Sequence, residues 1–333
     1  MDYRVFSSHD DRYTLPEDLN GKRIFICNTA SLGAILATTC VIRFLKQRGA
    51  RIAFGTRLNN LSGAMFANNQ DCEVVADACP GSGQTAKIYD PEFTQWFDNA
   101  DYRLNQTYYQ DTVGRTCYTE RLAQAGILGG SRGWRDEDVR GHLYLTREAM
   151  AIAAEWVDRE RLTPGMFLAV HVGATNPNRR WHTPHLERLA FMCAQRGLPV
   201  VQIWSPAFGE RPARSEHVIP IERNIPLSVA CSICAHAGIM LTSDSLFSHV
   251  ALALQKPTVH LYSGETRPDM RVAAHHRNAL HLWKPEAFPE MKNVEPEPAF
   301  NLIERLASNL GAPAAGAALS VAGAPKTEVP AQQ

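Results

Sequence analysis

The sequence predicts an α/β protein of two Rossmann-like, doubly wound domains facing a cleft, and three observations carry that prediction. Apolar runs of strand length alternate with stretches of helical periodicity through both halves of the chain. The chain is 333 residues long, enough for two domains of ordinary size, each with its own core. The stretch Leu241 to Gly264, L-T-S-D-S-L-F-S-H-V-A-L-A-L-Q-K-P-T-V-H-L-Y-S-G, reads as a strand end, a polar turn, a short helix and the next strand of a parallel βαβ unit.

The first domain is expected over residues 1–160. A polar arm to about Leu19 leads into a strand from Arg23 to Cys27, and Asn28-Thr-Ala-Ser-Leu-Gly33 follows as a turn. A helix then runs to about Arg48, with Leu32, Ile35, Leu36, Ile42 and Leu45 inward, and Gly49 ends it before a strand from Arg51 to Gly55. Asp71 to Ala76 reads as a further strand. Gly81-Ser-Gly83 reads as a turn, since the lysine and following helix of a phosphate loop are missing. Tyr89 to Tyr118 is rich in aromatic and polar residues, so Trp96, Phe97, Tyr102, Tyr108 and Tyr109 suit either sugar binding or cover for a sheet edge. A helix is expected from Thr119 to Ala125 and a glycine-rich loop from Gly129. Leu143 to Leu145 reads as a short strand, and Thr146 caps a helix from Arg147 to about Glu160.

The second domain is expected over residues 161–310. Strand Phe167 to His171 leads into the loop V-G-A-T-N-P-N-R-R-W-H-T-P, where Thr183 caps and Pro184 opens a helix that Gly197 stops. A strand from Pro199 to Trp204, a polar loop to Pro226 and a helix from Leu227 to His236 precede the βαβ unit. Pro298 to Leu310 is the last helix, and the Ala/Gly/Pro-rich residues 311–333 read as a disordered tail.

Composition narrows the functions. Lys plus Arg number 34, as do Asp plus Glu, so no net field draws the chain to nucleic acid or an anionic membrane. The N-terminus lacks the apolar core of a signal peptide and no apolar run reaches bilayer length, so a cytoplasmic protein without a transmembrane segment is expected. The eight cysteines are scattered, as reduced thiols are. Cys231-Ser-Ile-Cys234 lies in an apolar helical run without a second C-x-x-C, and reads as two core side chains rather than a metal or redox site.

Ligands of doubly wound sheets bind beyond the carboxyl ends of strands. In the second half those ends carry His171 to Trp181, Asn224 to Leu227 and Ser243 to His249. Ser245 and His249 stack on one face near a helix N-terminus, and Arg179 and Arg180 sit between a strand end and a helix start. Free N–H groups, hydroxyls and guanidiniums together suit a pyrophosphate.

H-V-G-A-T-N-P-N-R-R-W-H-T-P and T-S-D-S-L-F-S-H-V-A-L-A-L-Q-K-P resemble the strand-end and D-T-G-x-x-H motifs of glycosyltransferase family 9, the heptosyltransferase-like enzymes of GT-B fold. I-F-I-C-N-T-A-S-L-G-A resembles the family's opening strand and S-L-G-D loop. The resemblance implies a GT-B fold and inverting, metal-independent transfer of a sugar to a glycan or lipopolysaccharide-type acceptor. It implies no cofactor beyond the nucleotide-sugar co-substrate, with ADP-heptose the donor it suggests. Asp244, Ser245 and His249 would then hold the donor, Arg179 its phosphates, with Thr175, Arg180 and Ser228 beside it, and Ser31 and Gly33 would lie on the acceptor side.

Three positions depart from the family pattern. Ala34 stands where the family carries its acidic base, Leu246 replaces the glycine of D-T-G, and Ser228 stands where the family often has Glu. Three readings follow. In one, an active transferase takes its base from elsewhere: Asp111, beside Tyr108 and Tyr109 as an acceptor pocket, leads Glu120, Asp10 and Asp11. In another, the chain is a glycosyltransferase-like binding or partner protein without transferase activity. A sugar-nucleotide epimerase on the same architecture is a third.

Overall fold

The computed structural model describes residues 4–7, 15–57, 66, 68–80, 85–107, 118, 121–122, 139–206, 210–264, 267–268, 271, 275–286 and 290–310. Two sheets dominate them. The first contains β1 (Arg4–Ser7), β2 (Arg23–Asn28), β3 (Arg51–Thr56), β4 (Val74–Pro80), β5 (Thr85–Ile88) and β6 (Tyr102–Asn105), in the order β1-β5-β4-β3-β2-β6. Its centre is parallel, and β5 joins β4 and β1 in antiparallel pairs at one edge.

The second sheet is parallel throughout. It contains β7 (Leu168–His171), β8 (Val200–Gln202), β9 (Val218–Pro220), β10 (Ile239–Ser243), β11 (Thr258–Leu261) and β12 (Ala279–Leu282), ordered β12-β11-β10-β7-β8-β9. The chain lays strands outward on one side of β7, then returns to place β10 on the other. The crevice beyond the carboxyl ends of β7 and β10 is therefore the switch point at which such sheets take ligands.

Helix α1 (Leu32–Gln47) follows β2 and buries Ile35, Leu36, Ile42 and Leu45, each contributing roughly 1.5–3 kcal/mol. α2 (Pro91–Asp98) is capped by Asp90, whose carboxylate accepts from Phe93 N–H. α3 (Arg147–Arg159) starts at Thr146, whose hydroxyl accepts from Ala149 N–H at 3.0 Å as the sequence predicts. α4 (Thr183–Ala194), α5 (Leu227–His236), α6 (Leu246–Ala253) and α7 (Pro296–Leu310) cover the second sheet. α3 lies along α5, and α1 along α6. One buried cluster runs from Ile35 and Leu36 of α1 to Phe247 and Val250 of α6, so the two halves share a core at their junction. No helix among the described residues is long and apolar enough to cross a membrane.

Several local expectations are corrected. Leu143 to Leu145 joins no ladder, while Val218–Pro220, inside the expected polar loop, is the edge strand β9. His182, not Thr183, occupies the N-cap of α4, with Thr183 already helical and Pro184 in the first turn. The expected arm contributes β1, and the aromatic stretch contributes α2 and β6. Trp96 is buried, and the Phe93 and Phe97 rings meet Phe25 at 4.7 and 5.1 Å, so these aromatics cover a face of the first sheet. Cys231 and Cys234 are buried core side chains. Gly81 to Gly83, the glycine-rich loop from Gly129 and the tail 311–333 lie outside the described residues.

Candidate functional site

The loop after β7 is shaped by its own side chains. Arg180 donates through Nε to the Ala174 carbonyl at 2.8 Å and through Nη2 to that of Thr175 at 3.4 Å. Trp181 is buried and donates through Nε1 to the Val294 carbonyl at 2.6 Å. Held at both points, the loop brings Arg179 over the start of α6, where Nη1 lies 3.0 Å from Asp244 Oδ2. Arg271 also approaches this oxygen, its Nε at 3.9 Å. Asp244 is only 8% exposed, so one buried carboxylate holds two guanidiniums beside a helix N-terminus. The sequence reading gave Asp244 and Arg179 but not Arg271.

Beside this cluster an open pocket runs along the carboxyl edge of the second sheet. Ile203, Trp204, Ile225, Leu227 and Phe247 form its apolar walls, and Leu32 closes it from the first half. Apolar and aromatic walls with few polar members are what a flat ring system requires. His171 stands between pocket and cluster. Its ring stacks on Phe247 at 4.4 Å, and its Nδ1 lies 3.1 Å from Ser245 Oγ.

Behind His171 is Glu210, which sequence reasoning missed. Its Oε1 lies 3.7 Å from His171 Nε2, and its Oε2 accepts from Ser205 N–H at 2.7 Å. A Cβ on Gly173 would fall 0.8 Å from Glu210 Oε1, so the bare glycine leaves the space this carboxyl occupies. Burial pushes Glu210 up to about 7, against the pull of the Ser205 N–H and of Arg180. Burial likewise holds His171 neutral, down to about 3.

His249, one turn into α6, marks the junction of the halves. Its Nδ1 lies 2.9 Å from the hydroxyl of buried Tyr118, and a Cβ on Gly33 would sit 2.9 Å from its Cδ2. Burial, then the Arg121 and Arg271 guanidiniums, push His249 down to about 3. Deeper in the same half, His260 links Thr242 Oγ1 at 3.0 Å to His276 Nδ1 at 3.2 Å, a buried chain that burial keeps neutral.

The structure thus gathers Arg179, Asp244, Ser245 and His249 around the start of α6. Arg180 acts on the loop backbone, Thr175 is exposed on that loop, and Ser228 is buried in the first turn of α5. Ser245 occupies the N-cap of α6 but makes no side-chain cap bond, because its hydroxyl faces His171. Ser31 is the exposed N-cap of α1, and Gly33 is buried against His249. Asp111, Tyr108 and Tyr109, with Glu120, Asp10 and Asp11, lie outside the described residues. Among the described residues, no group of three or more His, Cys, Asp or Glu could hold a metal ion.

The sequence pattern described as glycosyltransferase family 9 (heptosyltransferase) matches residues 89–300. Among solved structures, a family 9 glycosyl transferase from Veillonella parvula is similar with TM-score 0.69 at 15% identity, over 89% of this chain and 100% of that one. The E. coli ADP-heptose lps heptosyltransferase II is similar with TM-score 0.65 at 14% identity, over 87% and 100%. E. coli heptosyltransferase WaaC with ADP-2-deoxy-2-fluoro heptose gives TM-score 0.59 at 16% identity, over 85% and 99%. Two Rossmann-like sheets in this arrangement are the GT-B fold of those enzymes. A search of curated protein sequences finds no match.

Proposed function

Because the chain belongs to glycosyltransferase family 9, we propose that it transfers a sugar from a nucleoside diphosphate donor to a glycan acceptor, with inversion and without a metal. The observation that carries the reading is the placement of Arg179 and Arg271 on Asp244 at the start of α6, next to an apolar pocket. Two guanidiniums against one carboxylate leave net positive charge where the helix N–H groups also point. A diphosphate would lie there with its base in the pocket. WaaC has been solved with ADP and with an ADP-heptose analogue, and ADP-heptose is the donor we infer.

In the reaction we propose, an acceptor hydroxyl oxygen forms a bond to the anomeric carbon as the bond from that carbon to the β-phosphate oxygen breaks. The diphosphate leaves with the bonding electrons, and the guanidiniums and N–H groups stabilise its growing charge. The hydroxyl proton passes to a base on the opposite face of the sugar, for which we propose Asp111. We assign residues 161–310 to the donor. Residues 1–160 take the acceptor, of lipopolysaccharide type, beside Ser31 and Gly33.

The test is incubation with ADP-heptose and a truncated lipopolysaccharide core in the presence of a chelator, read by mass spectrometry. The reading predicts a gain of one heptose residue with release of ADP. Tight binding of ADP-heptose with no transfer to any glycan would instead favour the partner-protein reading that Ala34 motivates.

A further inference from the structure

We propose that Glu210 and His171 are positioning residues that set the direction of the Ser245 hydroxyl at the donor's diphosphate, making donor binding dependent on one buried proton. The inference rests on the donor reading above. It starts from geometry: Ser245 Oγ, His171 Nδ1, His171 Nε2 and Glu210 Oε1 follow in line, at 3.1 Å across the first gap and 3.7 Å across the second. The second gap is longer than a hydrogen bond, yet His171 Nε2 and Glu210 Oε1 are both buried and neither has another hydrogen-bond partner. Phe247 stacks on the imidazole and fixes its plane, Ser205 N–H holds the other carboxyl oxygen, and bare Gly173 makes the seat.

A neutral imidazole has one N–H and one lone pair, so what happens at Nε2 decides what Nδ1 offers. With Glu210 protonated, its O–H donates to Nε2 and the ring hydrogen sits on Nδ1. Nδ1–H then donates to Ser245 Oγ, and the serine hydrogen, which otherwise reaches only the Ser243 carbonyl at 3.4 Å, can turn to donate to a phosphate oxygen. When Glu210 loses its proton to solvent, the carboxylate draws the ring hydrogen to Nε2. Ser245 then donates inward to Nδ1 and presents lone pairs to the phosphate, which repels them. Arg180 is the cation that favours the ionised form of Glu210, and burial opposes it. The neighbouring charges at Ser245 are those of Asp244, Arg179 and Arg271, already paired. The imidazole stays neutral in both states, so the proton that moves in or out belongs to Glu210.

The test is calorimetric titration with ADP-glucose, whose two phosphates each keep a single charge, between about pH 5.5 and about pH 8.5. Wild-type affinity should fall about tenfold as pH rises through neutrality, the scale of one charge-assisted hydrogen bond. Binding at the upper end should take up a proton, seen by comparing buffers of different ionisation enthalpy. Glu210→Gln, whose amide donates to Nε2 at every pH, should bind at the low-pH wild-type affinity throughout. Ser245→Ala should bind weakly with a flat profile. A wild-type profile that is already flat, or one that survives unchanged in Glu210→Gln, overturns the relay. Failure of wild type to bind either ADP-glucose or ADP at any pH overturns the donor reading instead. The relay then answers to a ligand-free measurement. The melting temperature of wild type relative to Glu210→Gln should drop as pH rises from the ordinary carboxylate range through neutrality, because only the folded state holds that proton. A constant difference would overturn it.

Discussion

Asp244→Ala removes the one carboxylate between two guanidiniums, and its consequence can be sized. Asp244 is 8% exposed and its Oδ2 lies 3.0 Å from Arg179 Nη1, whereas Arg271 is the more distant partner at 3.9 Å. Breaking a fully buried pair costs about 3–5 kcal/mol, most of it the charge left without compensation. The Arg179 side chain is 33% exposed, so water takes up part of that charge. We therefore expect a loss of roughly 2–3 kcal/mol, lowering the melting temperature by roughly 4–12 °C for a domain of this size. The vacated position is itself an anion site, flanked by guanidiniums. Inorganic phosphate should raise the melting temperature of Asp244→Ala more than that of wild type, while ADP affinity falls because the guanidiniums are no longer fixed. The assay is thermal unfolding with and without phosphate. A variant as stable as wild type, or an equal phosphate effect on both proteins, would refute the carboxylate's role as the organiser of the site.

Two other predictions address the junction and pH. Gly33→Ala places a methyl group 2.9 Å from His249 Cδ2, where α1 packs on α6, and should cost about 1–3 kcal/mol in urea unfolding while weakening ADP binding by displacing His249. His171 and His249 are pushed down to about 3 and His276 to about 4, so their stabilisation is complete above the unfolded histidine value. It is lost as pH falls, so the melting temperature should fall steadily from about pH 6.5 towards about pH 4, and His276→Asn should flatten part of that slope.

Elements buried on both faces were the most legible. β11, over Thr258–Leu261, is the second strand of the βαβ unit read in Leu241 to Gly264, and α5 is observed over Leu227–His236 as read, because apolar runs with clear Gly or Pro punctuation leave few alternatives. β9 is only V-I-P at a sheet edge, where pairing to β8 decides its conformation and its own pattern carries little. Leu143 to Leu145 had the opposite fault, a β-like composition with no neighbouring strand. At the site, Asp244 and Arg179 were legible because a helix start and a strand-end loop are local features. Glu210 was not, since its meaning depends on His171 at the end of β7 and Gly173 in the loop after it, and nothing near it in G-E-R-P-A signals burial. Arg271 and Tyr118 were missed for the same reason, as each acts on a residue distant in sequence.

The most direct test of the donor site is calorimetric titration of the purified protein with ADP, UDP and GDP in the presence of a chelator. The account predicts that ADP binds without metal and that Arg179→Ala, correctly folded, abolishes the heat of binding. Absence of binding by all three nucleotides, or ADP binding unchanged in Arg179→Ala, would contradict it.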